Sequence, residues 1–243
     1  MALQLFIGNK NYSSWSMRPW VLMRQLDLHF EEVMLRFDFS EHSHFRREVA
    51  RVSPAGRVPV LVDDGFAVWD SLAIVEYLHD KFPGRNIWPD DIRLRARARC
   101  MAAEMHSGFS ALRSHCPMNI EARLPEMGAK IWAEQPTVRA DVTRIELMWA
   151  EALLASGGPF LLGEFSAVDA MYAPVCMRLR NYALPVPSVV QRYIDQVVAT
   201  AAVAAWMADA LAEHHWVAED DPYRTQTGTQ TGIETGTQTR TQP

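Results

Sequence analysis

The sequence predicts a two-part fold, an α/β domain of order β-α-β-α-β-β-α followed by an all-α helical bundle. Three observations carry this expectation. Residues 3–7 alternate like a half-buried strand, two apolar runs around Asp63-Asp64-Gly65 form a hairpin between helical segments, and from about residue 90 only long helical periodicity remains. At 243 residues the chain suits either one large domain or two modest ones. The change of pattern favours two: residues 1–83, a linker at 84–91, and a helical domain at 92–221.

The first strand sets Leu3, Leu5 and Ile7 against Gln4, Phe6 and Gly8, and a polar loop follows from Asn9 to Ser16. The first helix is expected to start at an N-cap of Ser14 or Ser16, with Pro19 in its first turn and Trp20, Val21, Met23 and Leu26 as its apolar set. Phe30 to Arg36 reads as the second strand, and the charged stretch Asp38 to Arg51 holds a short helix. Val58 to Val62 and Phe66 to Trp69 make the hairpin, and a helix capped by Ser71 runs to the stop at Pro83-Gly84. In the second domain the best-marked helix begins at Ser166-Ala-Val-Asp169, a Ser-x-x-acid capping box. Residues 222–243 are dominated by Thr, Gln and Gly with little to bury, and are expected to be disordered.

Composition narrows the function. The chain is 49% hydrophobic and 22% charged, as a globular protein is, and its net charge of −5 disfavours the counterion-displacing field that nucleic-acid binding needs. Arg93, Arg95, Arg97 and Arg99 fall into two i,i+4 pairs on a solvated helix face rather than one basic stripe. Three cysteines with no CxxC pair fit a reducing cytoplasm better than a secreted framework. The first residues lack a basic flank and turn polar at once, so neither a leader nor a membrane span is expected. No metal site is expected from His42, His44 or the adjacent His214 and His215, and neither a GxGxxG nor a GxSxG pattern occurs.

Three short pieces carry chemistry. In Asn11-Tyr-Ser-Ser-Trp-Ser-Met-Arg-Pro-Trp20 several hydroxyls stand at a strand-to-helix turn, where free N–H groups and the helix dipole favour an anion. A Ser hydroxyl there can donate to a thiolate, lower a bound thiol's pKa and so supply a nucleophile; by itself the cluster is equally a set of caps. In Ser53-Pro-Ala-Gly-Arg-Val-Pro-Val-Leu61, Pro59 heads a strand, and a cis Val58–Pro59 bond would expose the Val58 backbone to an extended peptide. In Trp69-Asp70-Ser71, Ser71 and the helix N–H groups can hold a carboxylate while Asp70 answers an ammonium. Together they describe a site for a small zwitterionic peptide bearing a thiol.

These pieces, with Asp70-Ser71-Leu-Ala-Ile-Val-Glu-Tyr-Leu78 and the Ser166 capping box, closely resemble the cytosolic glutathione S-transferases, in particular bacterial, serine-type, theta/zeta-like members. The resemblance covers residues 3 to about 216 and implies a thioredoxin-like first domain. It makes Pro59 the cis proline, pairs the Val58 backbone with the cysteinyl unit of glutathione, places Asp70 and Ser71 at its γ-glutamyl end, and sets Arg57 near its glycyl carboxylate. Asp70 stands where Glu or Gln is usual. The thiol-activating group is Ser14, four residues before Arg18 in a Ser-x-x-x-Arg pattern, with Ser13, Ser16 and Tyr12 as alternatives. For the second substrate the fold implies a pocket containing Trp15, Met105, His106 and Phe109, with Met101 and Leu112 as further candidates.

The implied activity is conjugation of glutathione, as co-substrate and without a metal, to a small and apolar electrophile, by a cytoplasmic homodimer serving detoxification. A glutathione-dependent isomerase resembling maleylacetoacetate isomerase is the alternative, although the Tyr-Ser-Ser-Trp-Ser turn lacks the cysteine usual there. A third reading is a non-catalytic binding or regulatory protein on the same fold, as in starvation proteins that bind RNA polymerase.

Overall fold

A computed structural model describes residues 3–224. The first half contains β1 (Leu3–Ile7), α1 (Ser14–Gln25), β2 (Phe30–Met34), α2 (His44–Val52), β3 (Val60–Asp63), β4 (Phe66–Val68) and α3 (Ser71–Lys81). They build a four-stranded sheet of order β2-β1-β3-β4, in which β1 and β2 are parallel and the other pairs antiparallel. In the central strand β1, Leu3, Leu5 and Ile7 are buried while Gln4 and Phe6 are only half-buried, the alternation expected of a pleat.

Seven α-helices follow among the described residues: α4 (Ile92–Ser107), α5 (Ser110–His115), α6 (Pro125–Glu134), α7 (Pro136–Ser156), α8 (Ala167–Asn181), α9 (Ser188–Val198) and α10 (Ala201–Ala212). The α/β-plus-all-α architecture is therefore the observed one. The described chain continues through Arg224, and the Tyr223 hydroxyl donates to the His115 carbonyl at 2.9 Å. The remainder of the segment read as disordered, 225–243, lies outside the described residues.

Helix α8 is the axis of the helical half, buried from Ala167 to Leu179, and packs on both α1 and α4. Each fully buried Val, Leu or Met contributes roughly 1.5–3 kcal/mol. Its start is fixed by the capping box: Asp169 Oδ2 accepts the Ser166 N–H at 3.0 Å, and Oδ1 accepts the Leu161 N–H at 3.1 Å and the Tyr193 hydroxyl at 2.9 Å. Burial pushes the Asp169 carboxyl up to about 6, against these hydrogen bonds, which pull it down.

Three details of the first half differ from expectation. The N-cap of α1 is Ser13, one residue before the nearer of the two serines expected to cap it, and Ser14 is the first helical residue. With that start Pro19 is the sixth helical residue rather than part of the first turn, and the Trp15 carbonyl loses its usual helical donor. At α3 the cap is Asp70, whose Oδ1 accepts the Leu72 N–H at 3.1 Å, and Ser71 is the first helical residue. The Asp70 carboxyl group takes the capping position and releases the serine.

Asp169→Asn turns one acceptor toward donors it cannot satisfy and is expected to lower unfolding free energy by about 3 kcal/mol. Urea denaturation checks this, and a loss below about 1 kcal/mol would remove the capping box from its organising role.

Candidate active site

The loop between β1 and α1 is held from several sides. Asn9 Oδ1 accepts the Phe37 N–H, Asn11 Oδ1 accepts the Glu121 N–H, and the Asn11 carbonyl accepts the Ile120 N–H. From the end of α10, Glu213 accepts the Lys10 N–H at 2.6 Å, and the Trp206 indole donates to the Lys10 carbonyl at 2.9 Å. The Lys10 ammonium, almost wholly buried, bridges Glu32 at 2.8 Å and Asp209 at 2.6 Å. The polar residues read as a loop are a clamp between the two halves.

This clamp presents four hydroxyls in different states. Tyr12 points to Asp221 Oδ2 at 3.5 Å, and burial raises its phenol pKa. Ser13 donates to Ser16 Oγ at 2.7 Å, and Ser16, with no exposed surface, also accepts the Gly8 N–H. Ser14 Oγ accepts from Arg178 Nη2 at 3.3 Å, and its own proton has no acceptor among the described residues.

Two adjoining cavities flank this point. One, of about 420 Å³, is lined by Trp15, Ala55, Arg57, Val58, Pro59, Trp69, Asp70, Ser71 and His106. The other, of about 520 Å³, includes Tyr12, Ser13, Ser14, Phe39, Arg113, Met118, Arg178 and Asp220. Trp15, Arg57 and Val58 line both.

In the first cavity the Val58–Pro59 peptide is cis, and so is Trp69–Asp70. Neither the N–H nor the carbonyl of Val58 enters a backbone hydrogen bond among the described residues. The Ser71 hydroxyl is fully buried at the start of α3 and likewise has no partner there. Asp70 is shared: Oδ1 caps α3, and Oδ2 lies 3.2 Å from His106 Nε2. Arg57 is exposed at the junction of the cavities.

The expected second-substrate residues divide. Trp15 and His106 line the first cavity, their rings 5.1 Å apart. Met105 and Phe109 line neither cavity: both are buried in the main core, as are Met101 and Leu112, and the Met105 sulfur accepts from Arg18 Nη2 at 3.1 Å. Their helical spacing reflected packing, which a Met and aromatic stripe serves first.

Arg113 on α5 and Arg178 on α8 were not foreseen. Arg178 is buried, donates to the Cys116 carbonyl at 2.9 Å, and is pushed down to about 10 by burial and then by Arg113, so it stays charged at neutral pH. Arg113 is half-buried and donates to the Met105 and His106 carbonyls. The available signal was one arginine inside the otherwise apolar run from Ala170 to Leu179, a place where charge is costly without a purpose.

The fold and cleft define a class of protein in which a four-stranded mixed sheet with a cis-proline ahead of β3 is joined to a helical half, with a serine-lined cavity beside the cis-proline. The N-terminal domain of glutathione S-transferase matches residues 12–81 and the C-terminal domain of the same family matches residues 146–209. "Glutathione S-transferase 1" of Dianthus caryophyllus is 30% identical over 174 residues, spanning 71% of this chain and 75% of its own length. This chain belongs to the glutathione S-transferase family. Maleylacetoacetate isomerase of Rattus norvegicus is 26% identical over 162 residues, 66% of this chain and 70% of its own. A Burkholderia glutathione transferase homolog, solved with bound glutathione, superposes with a TM-score of 0.64 over 88% of this chain and 100% of its own, at 20% identity, which shows a shared fold. Among the described residues no group of three His, Cys, Asp or Glu could hold a metal ion, and no single helix is long and apolar enough to cross a membrane.

Removing the unpartnered hydroxyl by Ser71→Ala is expected to stabilise the ligand-free protein by about 1 kcal/mol. Thermal or urea unfolding reads the sign, and a destabilised variant would mean the hydroxyl already has a partner.

Proposed function

We propose that this chain binds reduced glutathione in the cavity of Val58 and Ser71, ionises its thiol beside Ser14, and transfers the sulfur to a small electrophile in the adjoining cavity. The observation that carries the reading is the state of Ser14. Of four neighbouring hydroxyls it faces a cavity with an uncommitted proton, while Ser13 and Ser16 bond each other and Tyr12 faces a carboxylate.

The cysteinyl unit would pair with the Val58 N–H and carbonyl as an added strand does, which places its sulfur toward the first turn of α1. The γ-glutamyl carboxylate would take the Ser71 hydroxyl and the N–H groups opening α3, and its ammonium the Asp70 carboxylate, which also faces His106. Arg57 would meet the glycyl carboxylate, a reading its exposed place at the junction of the cavities supports. Ser14 donates its proton to the thiolate, the start of α1 adds its dipole, and the Arg178 guanidinium, 3.3 Å from Ser14 Oγ, adds a full charge in a poorly hydrated site. Each favours the ionised sulfur over the thiol, so the nucleophile is present at neutral pH.

The relative named maleylacetoacetate isomerase supports a second reading, in which the sulfur adds, the substrate turns about the former double bond, and the sulfur leaves again. Consumption of glutathione separates the two. Exposed Leu94 on α4 and Leu147 and Leu154 on α7 support a homodimer, and the unpaired Cys100, Cys116 and Cys176 support a cytoplasmic location.

Calorimetric titration with reduced glutathione, with thiolate absorbance followed against pH, tests the proposal. Binding with a thiol pKa below its free value is expected, and no binding would assign the fold to partner recognition instead. In Ser14→Ala the bound thiol pKa should rise by about 1–2 units with little loss of affinity; an unchanged value would move the role to Ser13, Ser16 or Tyr12. Ser71→Ala should weaken glutathione about tenfold, opposite in sign to its effect on the ligand-free protein.

A further inference from the structure

His106 was expected in the second-substrate pocket, yet its imidazole lines the cavity of Val58 and Ser71 and not the one beside Ser14. It stands in the last turn of α4, packs edge to face on the Trp15 ring at 5.1 Å, and reaches across to the start of α3. There Nε2 lies 3.2 Å from Asp70 Oδ2. The other ring nitrogen, Nδ1, is buried and has no hydrogen-bond partner among the described residues. A proton on Nδ1 would be buried without an acceptor, so the geometry places the ring proton on Nε2, where it is donated to Asp70.

The charged groups around this pair are engaged elsewhere. Arg113 donates to the His106 carbonyl at 3.4 Å rather than to the ring, and lies 5.6 Å from the centre of the Trp15 indole. Arg18, buried 4.1 Å from the centre of the same indole, feels the Asp70 carboxylate through its field, but its donors go to two carbonyls and a sulfur. On α4, Glu104 pairs with Arg144, and Arg99 pairs with Glu76 of α3. Among the described residues His106 is the one basic side chain at ion-pair distance from Asp70.

Asp70 needs this second contact because the torsion that turns an aspartate carboxylate is broad, and the bond from the Leu72 N–H to Oδ1 leaves the other oxygen free to swing. Nε2 fixes that oxygen. Each carboxylate oxygen has two acceptor sites, so Oδ2 can hold the imidazole and keep one site for a ligand. The Asp70 side chain is 56% exposed, and without the imidazole a ligand would have to order it at a cost in affinity.

We propose that His106 is a positioning residue for the γ-glutamyl end: it holds Asp70 Oδ2 toward the ammonium and so sets the preference for a peptide with a free α-amino group. The inference rests on the glutathione reading of this cavity. His106 acts through Asp70 and takes no part in the chemistry at sulfur. Selectivity at the far end of the peptide is thereby shared between the two halves of the chain, with the carboxylate supplied by α3 and its orientation by α4.

The test titrates the intact protein calorimetrically with reduced glutathione and with glutaryl-cysteinylglycine, the same peptide without the ammonium. Both carry one thiol, so effects at Ser14 cancel in the ratio. The wild-type chain is expected to prefer glutathione at least about tenfold. His106→Leu, and His106→Asn whose amide stops short of Asp70, should each lower that preference about fivefold by weakening glutathione alone. His106→Gln carries an N–H donor as far as the ε position and should keep the preference within about twofold of wild type. In an Asp70→Asn background His106→Leu should change the preference no further.

Equal weakening of both peptides in the Leu and Asn variants assigns His106 to packing against Trp15, and overturns the inference while the glutathione reading stands. A Gln variant as unselective as the Leu variant overturns it too, as does a wild-type chain that binds both peptides equally well. A wild-type chain that binds neither peptide removes the glutathione reading and this inference with it.

Discussion

The site depends on one buried charge. Arg18 has no exposed surface and, among the described residues, no carboxylate at ion-pair distance, yet it ties three elements together: Nη1 donates to the Ser14 carbonyl at 2.6 Å, Nε to the Met171 carbonyl on α8 at 3.1 Å, and Nη2 to the Met105 sulfur on α4. Its guanidinium also lies 4.1 Å from the centre of the Trp15 ring. A neutral side chain of the same shape would avoid the desolvation cost but could not grip a carbonyl at the first turn of α1 and another in the middle of α8. The first turn of α1 is thereby fixed to the helical half, and Ser14 Oγ stands where Arg178 can reach it.

A second tether closes the other side of the same turn. Lys10, Glu32, Asp209 and Glu213 link the loop after β1 to β2 and α10, while the Trp20 and Trp206 rings pack edge to face at 5.3 Å beneath them. The buried ammonium lies between two carboxylates and near both indole rings, so its charge is compensated in a way that Arg18's is not. The contrast separates two uses of buried cations. Lys10 is neutralised and serves as a fastener; the arginines near Ser14 remain a source of positive field.

Legibility in the sequence followed the range of the interactions. The alternation of Leu3, Leu5 and Ile7, the hairpin around Asp63-Asp64-Gly65 and the Ser166 box each depend on neighbours a few residues away, and each element was foreseen. The family itself could be recognised because its glutathione-binding motifs are compact. Helix starts were less secure, since Ser13, Ser14 and Ser16 are equally good caps by type, and Asp70 beside Ser71 poses the same choice. The second-substrate wall was the least legible. Arg178 meets Ser14 across 164 positions of chain, and its one local signal, an arginine among apolar neighbours, names neither that partner nor the cavity. Met105 and Phe109 failed for the converse reason: their periodicity records burial, and burial alone does not say whether a side chain faces a cavity or a neighbour.

In the proposed function, activation of the thiol draws on the positive field around Ser14. A positive potential that favours a thiolate at Ser14 falls off slowly in a poorly hydrated cleft, so the volume a few ångströms beyond the sulfur is also attractive to anions. An apolar acceptor gains nothing from that potential and must displace whatever water solvates Arg113. The guanidinium groups of Arg113 and Arg178 line that volume without a carboxylate at ion-pair distance among the described residues, so the field around Ser14 comes from cations that the fold leaves uncompensated.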